Sequence, residues 1–463
     1  MSQGRAPTLV ESVVTLIIVA AVIILGIRLQ SGLVAVFVPL TLSVGVVGCV
    51  NLYLRRPWSS FNEGILDGVT KVSIACIILL LIGALVGVWI LGGIIPTLIF
   101  HGLQIVTPAF FLPTTFVVCL IMSLVAGTSY GTIGTVGVAL IGVAMGLGIP
   151  LPIAAGAILS GAYFGDKMSP LSDTTNIPAA MGEADLFRHI RSMAYTTLPA
   201  GVLTFIAFAL AGGEGSGAQA GQLPEMLEGL ATGWRLSWLH FVPILLMLSM
   251  AFLRVPTLLL IFANVAIGGV WAMMFQSASL ETVFHAATTG FRSETGAAAV
   301  DQVLSRGGMT SMQSVIILVI IAGALGGTLR ATGVLEAFVN GMLVYVRRTG
   351  TLILAVMVSC YTVNLFTGNQ ALSLILPGQM FLPAFRARKI DTTVMTRSLE
   401  DSGTLSAPLV PWGVAGGFCS QMLSVPTVDY LPYMWFAFTV PIFSLLFGYT
   451  GVAVWKEEEK ANP

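Results

Sequence analysis

An unusual cluster of polar and charged residues occurs at Gly165-Asp166-Lys167-Met168-Ser169-Pro170-Leu171-Ser172-Asp173-Thr174-Thr175-Asn176. Between Val72 and Gly165 the sequence has no Asp, Glu, Lys or Arg, so the cluster interrupts a long uncharged region. An ionisable side chain at the centre of a membrane helix costs about 2.5–3.5 kcal/mol on insertion scales. If the flanking segments are membrane helices, the cluster therefore predicts a functional site.

The amino-acid composition supports the interpretation of the flanking segments as membrane helices. The 463 residues are 56% hydrophobic and 9% charged, whereas an average soluble domain has about 25% charged residues. Long unbroken apolar runs, rather than the alternation of a membrane barrel, indicate a polytopic α-helical membrane protein. The net charge of zero gives no indication of a nucleic-acid partner, and the five cysteines are scattered singly, which predicts neither a disulfide nor a metal cluster.

A membrane-spanning helix needs about 20 apolar residues, and segments of this kind follow one another along the whole chain. In the first half they are Leu9–Ile27, Leu33–Leu54, Val72–Leu91, Phe110–Ala126, Ile133–Leu147, Pro152–Ala162 and Met193–Leu210. In the second half they are Leu236–Phe252, Leu258–Met274, Met312–Leu329, Thr351–Phe366, Ala371–Phe385 and Met434–Trp455. The shorter ones, flanked by Gly and Pro, predict re-entrant hairpins and discontinuous helices.

Four polar breaks interrupt the apolar segments, and their order is repeated. They are residues 127–131, 165–176, 367–370 and 400–408. A shift of 240 residues places Gly83, Ala84, Leu85, Gly87 and Gly93 on Gly323, Ala324, Leu325, Gly327 and Gly333. A shift of 234 residues places Asp166 on Glu400 and Leu171-Ser172 on Leu405-Ser406. The sequence therefore predicts two homologous halves, with a substrate site between them near the membrane midplane.

We expect residues 1–211 to form the first repeat, with about five crossings and a hairpin near 110–147. Residues 212–235 are expected to form an extracytoplasmic linker. Residues 236–463 are expected to form the second repeat, with about five crossings and a hairpin near 351–385. An odd number of crossings per half makes the two repeats inverted.

The distribution of basic residues sets the orientation, because Lys and Arg accumulate on the cytoplasmic side. With the N-terminus in the cytoplasm, the predicted outside loops hold only Arg28, Arg235, Arg292 and Arg306. The predicted inside residues are Arg5, Arg55, Arg56, Lys71, Arg188, Arg191, Arg254, Arg330, Arg347, Arg348, Arg386, Arg388, Lys389, Lys456 and Lys460. We therefore expect a multi-pass protein of a prokaryotic cytoplasmic membrane with both termini inside.

The breaks have the chemistry of a cation site. An unwound helix frees backbone carbonyls, hydroxyls and amides add neutral oxygens, and a carboxylate adds charge. The first half offers Thr128, Ser129, Asp173, Thr174, Thr175 and Asn176, and the second offers Asn364, Asn369, Glu400, Asp401, Thr404 and Ser406. We expect Asp173, Thr174 and Ser129 to bind Na+. A carboxylate that holds a proton in one state and a cation in the other would by itself give exchange.

Three charged residues have an alternative structural interpretation. Asp166 and Lys167 can neutralise one another, or Lys167 can serve as a counter-charge for an anionic substrate. Arg397 precedes Glu400 and Asp401 by three and four residues, the spacing of a helical salt bridge, so we expect one of them to be its partner. Glu400 is assigned to that structural role and Asp401 to the functional one, although a change of register would exchange them. Asp173 has no neighbouring cation in the sequence and is the first choice for a functional carboxylate.

The stretch at residues 165–176 resembles the signature of the NhaC-type sodium/proton antiporters and of their relatives that exchange malate for lactate. Residues 399–412, Leu-Glu-Asp-Ser-Gly-Thr-Leu-Ser-Ala-Pro-Leu-Val-Pro-Trp, and residues 127–132, Gly-Thr-Ser-Tyr-Gly-Thr, resemble further motifs of that family. The resemblance implies an ion-transporter fold of inverted repeats with two hairpins, often dimeric and with elevator-like movement. Gly413 stands where the family usually has a polar residue after the Pro-Trp pair, which leaves one ligand of the second half open.

These observations give a main hypothesis and a rival. The main hypothesis is secondary antiport, in which Na+ leaves as protons enter, with Asp173 and either Glu400 or Asp401 alternately protonated and cation-loaded. The rival is a Na+- and H+-coupled exchanger of small organic acids such as malate and lactate. We expect no cofactor besides the transported Na+ and H+. No enzyme motif stands out. The lipid bilayer is an expected partner, and a homodimer is a possibility that the resemblance implies and the sequence leaves open.

Overall fold

The computed structural model describes residues 4–29, 33–212 and 222–456, which are almost entirely helical. The helices of the first half are α1 (Leu9–Leu29), α2 (Phe37–Tyr53), α3 (Trp58–Leu91), α4 (Ile94–Ile105), α5 (Phe111–Ala126), α6 (Ser129–Thr132), α7 (Val138–Gly146), α8 (Leu151–Met168), α9 (Asp173–Met181) and α10 (Leu186–Gly212). A π-helical segment, Ile133–Gly137, joins α6 to α7.

The second half contains the remaining helices. They are α11 (Gln222–Gly233), α12 (Val242–Phe252), α13 (Thr257–Gln276), α14 (Leu280–Thr289), α15 (Ala298–Leu304), α16 (Gln313–Ala331), α17 (Val334–Val344), α18 (Thr349–Thr367), α19 (Gln370–Ala387), α20 (Thr392–Leu399), α21 (Val414–Leu423), α22 (Thr427–Tyr430) and α23 (Trp435–Thr450). Within the described ranges, nine helices are long and apolar enough to cross a membrane, or up to eleven if each of two bent pairs is one span. The prediction of an all-α polytopic membrane protein is confirmed.

The same order of elements occurs twice. In each half a long apolar helix (α3 or α16) ends at a left-handed glycine, Gly93 or Gly333, which begins a short apolar helix (α4 or α17). A helical hairpin follows, turning at a second left-handed glycine, Gly127 or Gly368. These turns require φ values that only glycine adopts without strain. The residue after each turn, Thr128 or Asn369, then caps the next helix with its side chain.

The two repeats are inverted, as the close packing of α3 against α16 shows. Gly64 lies against Gly327, and Gly68 lies against Gly323, so residue numbers rise along one helix as they fall along the other. Added methyl groups at these glycines would overlap the backbone of the facing helix. Because α16 is the equivalent of the C-terminal part of α3, antiparallel packing of these helices is what an inverted duplication predicts.

The two halves interlock rather than form separate domains. α9 and α10 of the first half pack on α19 and α20 of the second, and α23 packs on α10 and α8. One large apolar core accordingly draws residues from both halves, including Phe116 and Tyr163 from the first and Phe418 and Phe436 from the second. This arrangement brings the polar breaks of the two repeats into the same interior.

Two sequence predictions differ from the structure. The predicted linker at 212–235 contains the helix α11, whose Met226 and Leu230 are buried against α4 and α15, while residues 213–221 of that linker lie outside the described residues. The helix was missed because the segment is rich in Gly and acidic residues, although its apolar residues have helical spacing. The break at 400–408 is also partly helical, since Glu400–Thr404 form a π-helical continuation of α20.

The glycine contact between α3 and α16 gives a stability prediction. Gly68→Val should destabilise the protein by about 1–3 kcal/mol, because the new side chain cannot fit without separating the two helices. Thermal unfolding in detergent would measure the change. Gly45→Val is the matched control, since Gly45 is exposed and a methyl group there meets no atom within 4 Å. Equal effects of the two substitutions would contradict this role of the glycine contact.

Candidate functional site

Asp166 is the central carboxylate of the first repeat. It lies in the last turn of α8 and is only 3% exposed. Its Oδ2 accepts a hydrogen bond from the Ser129 hydroxyl at 2.8 Å, and its Oδ1 accepts one from the Ser172 hydroxyl at 2.6 Å. Ser129 is the first residue of α6, and Ser172 is the N-cap of α9. The carboxylate therefore lies between two helix N-termini, whose partial positive charge stabilises an anion.

Local sequence explains how these groups meet. Gly127 lets the hairpin turn, and Thr128 caps α6 by accepting a hydrogen bond from the Gly131 amide at 3.3 Å. Ser129, the first residue of α6, bonds to the buried Asp166 carboxylate. The tip of the hairpin therefore ends inside the protein, as the tip of a re-entrant hairpin does. Thr175 donates to the carbonyl of Lys167 at 3.0 Å, so it satisfies a backbone group released at the end of α8.

A cavity of about 810 Å³ leads to Asp166. Its polar lining includes Thr128, Ser129, Ser172, Thr174 and Asn176, and Arg254, Pro256 and Leu186 also line it. Asp173, the first choice from the sequence, is exposed in this cavity, whereas Asp166 is buried at its wall. The structure thus brings most of the predicted first-half residues together and places Asp166, rather than Asp173, at their centre.

The oxygen atoms around Asp166 suit a small desolvated cation. The Ser129 hydroxyl donates to the carboxylate, which leaves its lone pairs free to bind a positive ion, whereas the Ser172 oxygen also accepts from the Thr174 amide at 3.2 Å. Thr174 extends the group, with its Oγ1 2.9 Å from the Ser172 Oγ. The Asn176 side-chain amide donates a hydrogen bond to the Ser172 carbonyl at 2.7 Å, and this bond holds the backbone of the break in place.

The second repeat presents a buried counterpart. Glu400 and Asp401 are fully buried in the π-helical segment that follows α20. Neither carboxyl oxygen of Glu400 has a hydrogen-bond partner among the described residues. The chain leaves the helix only at Val410, and Gly413 then packs against Gly368 at the tip of the second hairpin. A Cβ at Gly413 would lie 3.3 Å from the Val410 Cβ and 3.5 Å from the Gly368 Cα, so a side chain there has little room.

Lys167 and Asp401 form an ion pair between the two repeats. Lys167 Nζ lies 2.7 Å from Asp401 Oδ1, and both side chains are fully buried. The sequence shift that places Asp166 on Glu400 also places Lys167 on Asp401, so the pair joins equivalent positions of the two halves. Thr196 of α10 donates to the same Asp401 oxygen at 3.1 Å, and the Met193 sulfur lies 3.3 Å from Lys167 Nζ.

Two predictions about charged partners are corrected by this geometry. Lys167 neutralises Asp401 rather than Asp166, and it is not among the residues that line the cavity. Arg397 does not pair with Glu400 or Asp401, because its guanidinium donates to the Ala453 carbonyl at 3.0 Å and lies over the Trp455 ring. The π-helical segment begins at Glu400, so the regular helical spacing assumed for a salt bridge does not continue past Leu399. Of the two acidic residues, Asp401 is therefore the paired one and Glu400 the unpaired one.

The other second-half residues support the hairpin and the π-helical segment. Asn369 caps α19 by accepting from the Leu372 amide at 3.1 Å. Asn364 donates to the Gly403 carbonyl at 2.6 Å and to the Ser406 hydroxyl at 2.7 Å, which holds Ser406 close to the bend. Sequence reasoning missed Thr196 and Met193, because nothing in an ordinary apolar helix indicates which face meets the ion pair. It also missed Gln370, which lines the cavity and has a buried Nε2 without a partner among the described residues.

Inverted helical repeats, with helix breaks that converge on buried carboxylates, define a secondary transporter. The model of the Na+/H+ antiporter family matches residues 3–163 and 161–452, and this chain belongs to that family. It is 39% identical over 427 residues to the Na+/H+ antiporter NhaC of Alkalihalophilus pseudofirmus, with 92% of each chain covered. It is 32% identical over 462 residues to the malate-2H+/Na+-lactate antiporter of Bacillus subtilis, with 98% of this chain and 97% of that one covered.

A solved structure also aligns with most of this chain. MtrF of Neisseria gonorrhoeae, described as illuminating a class of antimetabolite efflux pumps, aligns with 93% of this chain and 97% of its own length. The sequence identity is 14% and the TM-score is 0.42.

The ion pair between the repeats gives a second prediction. Lys167→Met should destabilise the protein by about 3–5 kcal/mol, because it leaves a buried carboxylate at Asp401 without its cation. The double variant Lys167→Met/Asp401→Leu should recover most of that loss, since no uncompensated charge remains. Thermal unfolding and the yield of monodisperse protein in detergent would measure both. A double variant as unstable as the single one would contradict a mainly electrostatic role.

Proposed function

We propose that this protein exchanges Na+ for H+ across the cytoplasmic membrane by alternating access. The observation that carries the proposal is the buried Asp166 carboxylate, bound by the Ser129 and Ser172 hydroxyls beside a cavity. Membership of the Na+/H+ antiporter family and the similarity to NhaC support it. In this proposal the protein is a transporter and not an enzyme, and Na+ and H+ are its substrates, with no cofactor.

Asp166 is proposed to bind Na+ and H+ in turn. A desolvated Na+ needs a ring of oxygen atoms, to which the carboxylate and the hydroxyls of Ser129 and Thr174 can contribute, while Ser172 orients the carboxylate. When Na+ leaves, the buried carboxylate loses its counter-charge, and binding a proton removes the cost of an isolated buried anion. The two ions therefore compete for one group, and that competition couples their movements.

Glu400 is proposed to carry a proton in the second repeat. A carboxylate with neither a hydrogen-bond partner nor its own cation is costly in a buried site, so the neutral acid is the stable form. Lys167 forms its ion pair with Asp401, so it does not form one with Glu400. Glu400 can ionise when movement of the repeats brings water or a cation to it, which would add a second proton-linked step to the cycle.

Substitution at Asp166 tests the proposed cation site. Asp166→Asn should reduce Na+-driven proton movement to background, because a neutral amide can neither hold a proton nor balance Na+. Proteoliposomes with an internal pH indicator, energised by an outward or inward Na+ gradient, would measure the exchange. In wild type, lowering the pH should raise the KM for Na+, since protons occupy the same carboxylate.

Two further variants make this test specific. Asp173→Asn should raise the KM for Na+ by roughly threefold to tenfold and spare kcat, because an exposed carboxylate in the cavity attracts cations without binding the ion. Glu183→Gln is the control, since Glu183 forms only an exposed ion pair with Arg386. Full exchange activity in folded Asp166→Asn protein would refute the assignment, and loss of activity only in Asp173→Asn would restore the choice made from the sequence.

The proposed placement follows from the basic residues and from one cluster in the structure. Arg56 donates to the Ala331 carbonyl at 2.7 Å, which brings the start of α3 and the end of α16 to the same side of the protein. Arg56 also donates to the Arg5 carbonyl at 3.4 Å, and Arg55 and Arg330 directly precede Arg56 and Ala331, so all four arginines would face the cytoplasm in this orientation. Both termini are therefore proposed to be cytoplasmic. The homodimer implied by the family resemblance stays a prediction.

The size of the cavity favours a second candidate function, the coupled exchange of small organic acids. A volume of about 810 Å³ lies within the range of small-molecule sites and far exceeds the needs of one Na+. The similarity to the malate-2H+/Na+-lactate antiporter supports the same candidate. The lining charges weigh against it, because Arg254 faces two carboxylates, Asp166 and Asp173, and Lys167 does not reach the cavity.

Uptake of a labelled substrate separates the two functions. Proteoliposomes loaded with lactate should accumulate no radiolabelled malate above the level of empty liposomes if Na+/H+ exchange is the whole activity. The same vesicles must show Na+-dependent proton movement as the internal control. Malate accumulation that depends on Na+ and is lost in Arg254→Gln would instead establish the organic acid exchanger.

A further inference from the structure

A second polar cavity surrounds Arg306, in the segment between α15 and α16. Its volume is about 350 Å³, and it is separate from the cavity that leads to Asp166. Besides the arginine, its polar lining consists of Thr289, Ser305, Thr310, Ser311, Gln421 and Ser424. None of these residues belongs to the proposed ion-exchange site. A polar cavity with one cation and several hydroxyl groups needs an explanation of its own.

The charge of Arg306 is not balanced by a carboxylate. Among the described residues, no Asp or Glu lies within ion-pair distance of its guanidinium. Burial lowers the pKa of Arg306 to about 10, which still leaves it charged at neutral pH. Its Nε is buried and has no hydrogen-bond partner in the described structure. Arg306 is half-buried as a whole, but a buried donor that makes no hydrogen bond is costly.

Part of this arrangement is structural. Arg306 donates through one NH group to the Met422 carbonyl at 3.3 Å, near the C-terminal end of α21, where the helix dipole favours a cation. That contact uses one of the five N–H donors of the guanidinium. The C-terminal end of α21 supplies only about half an elementary negative charge, so it does not balance the full charge of the arginine. The second terminal NH2 group has no partner among the described residues and is not buried, so it is available to a ligand in the cavity.

The hydroxyl groups add directed donors. The Ser305 Oγ accepts from the Ser293 amide at 3.0 Å, so its own hydrogen is free to point to a ligand. Thr310 is exposed in the cavity and makes no side-chain hydrogen bond within the described residues. A guanidinium fork flanked by hydroxyl donors matches the two oxygens of a carboxylate. The volume also exceeds the need of a single halide ion and suits a molecule of several heavy atoms.

We propose that the cavity around Arg306 binds a small carboxylate, at a site distinct from the cation site at Asp166. The ligand would contact three parts of the protein at once: α3 through Val86, the segment before α16, and the end of α21. α21 directly follows the break that carries Glu400 and Asp401. Occupancy of the site therefore stabilises one arrangement of the second-repeat break relative to α3, whichever ions the protein exchanges.

Ligand-dependent thermal stability tests this site. Purified wild-type protein in detergent at pH 7 should show a saturable rise in unfolding temperature with acetate or lactate, at constant Na+ concentration and ionic strength. Chloride and inorganic phosphate, in matched series, should give a smaller rise. Arg306→Gln should weaken carboxylate binding about tenfold or more, as expected for loss of a charge-assisted hydrogen bond. Arg292→Gln, which removes an exposed arginine paired only with exposed Glu294, should bind as wild type does.

A second variant keeps the test decisive if Arg306→Gln does not fold. Thr310→Asp places a carboxylate of the protein in the cavity, so it should raise the unfolding temperature without ligand and abolish the response to acetate. Equal responses to chloride, phosphate and carboxylates would overturn the assignment of a carboxylate. An unchanged response in Thr310→Asp, or no saturable response in wild type, would overturn the site itself.

Discussion

The buried ion pair between Lys167 and Asp401 is the interaction that most constrains the interior of this protein. Two fully buried charges are stable only if they stay together, since removing either partner leaves an isolated charge in an apolar environment. The pair joins the end of α8 to the π-helical segment after α20, at equivalent positions of the two repeats. It thereby fixes the register in which the two helix breaks meet.

That register determines the environments of the two neighbouring carboxylates. Because Lys167 and Asp401 neutralise one another, Asp166 and Glu400 are left without a lysine or arginine partner in the described structure. Asp166 is satisfied by hydroxyls beside a cavity, whereas Glu400 is enclosed with no partner at all. Two equivalent acids in such different environments can differ in the ion that each favours. The asymmetry arises because the first repeat has an Asp-Lys pair where the second has Glu-Asp.

The glycine residues provide the framework for this arrangement. Gly64 and Gly68 allow α3 to approach the backbone of α16, and left-handed Gly127 and Gly368 turn the two hairpins toward the breaks. Without a hydrophobic driving force between helices in lipid, such close backbone packing is an important source of helix association. The protein therefore combines a tightly packed glycine contact with a polar interior in which a few hydrogen bonds position the charged groups.

The sequence by itself determined the membrane class, the repeated order of elements and the positions of the polar breaks. These follow from local properties: apolar length, glycine at turns, and the cost of charge at membrane depth. It also named Asp166, Ser129 and Glu400 as candidates, with a structural role for Glu400 and a structural alternative for Asp166. Only the tertiary structure decided that Lys167 pairs with Asp401, that Arg397 pairs with neither acid, and that Asp166 lies more deeply buried than Asp173. Those outcomes depend on which helix faces meet across distant parts of the sequence, such as the 234 positions between Lys167 and Asp401 and the 56 between Arg397 and Ala453, and no local pattern encodes such contacts.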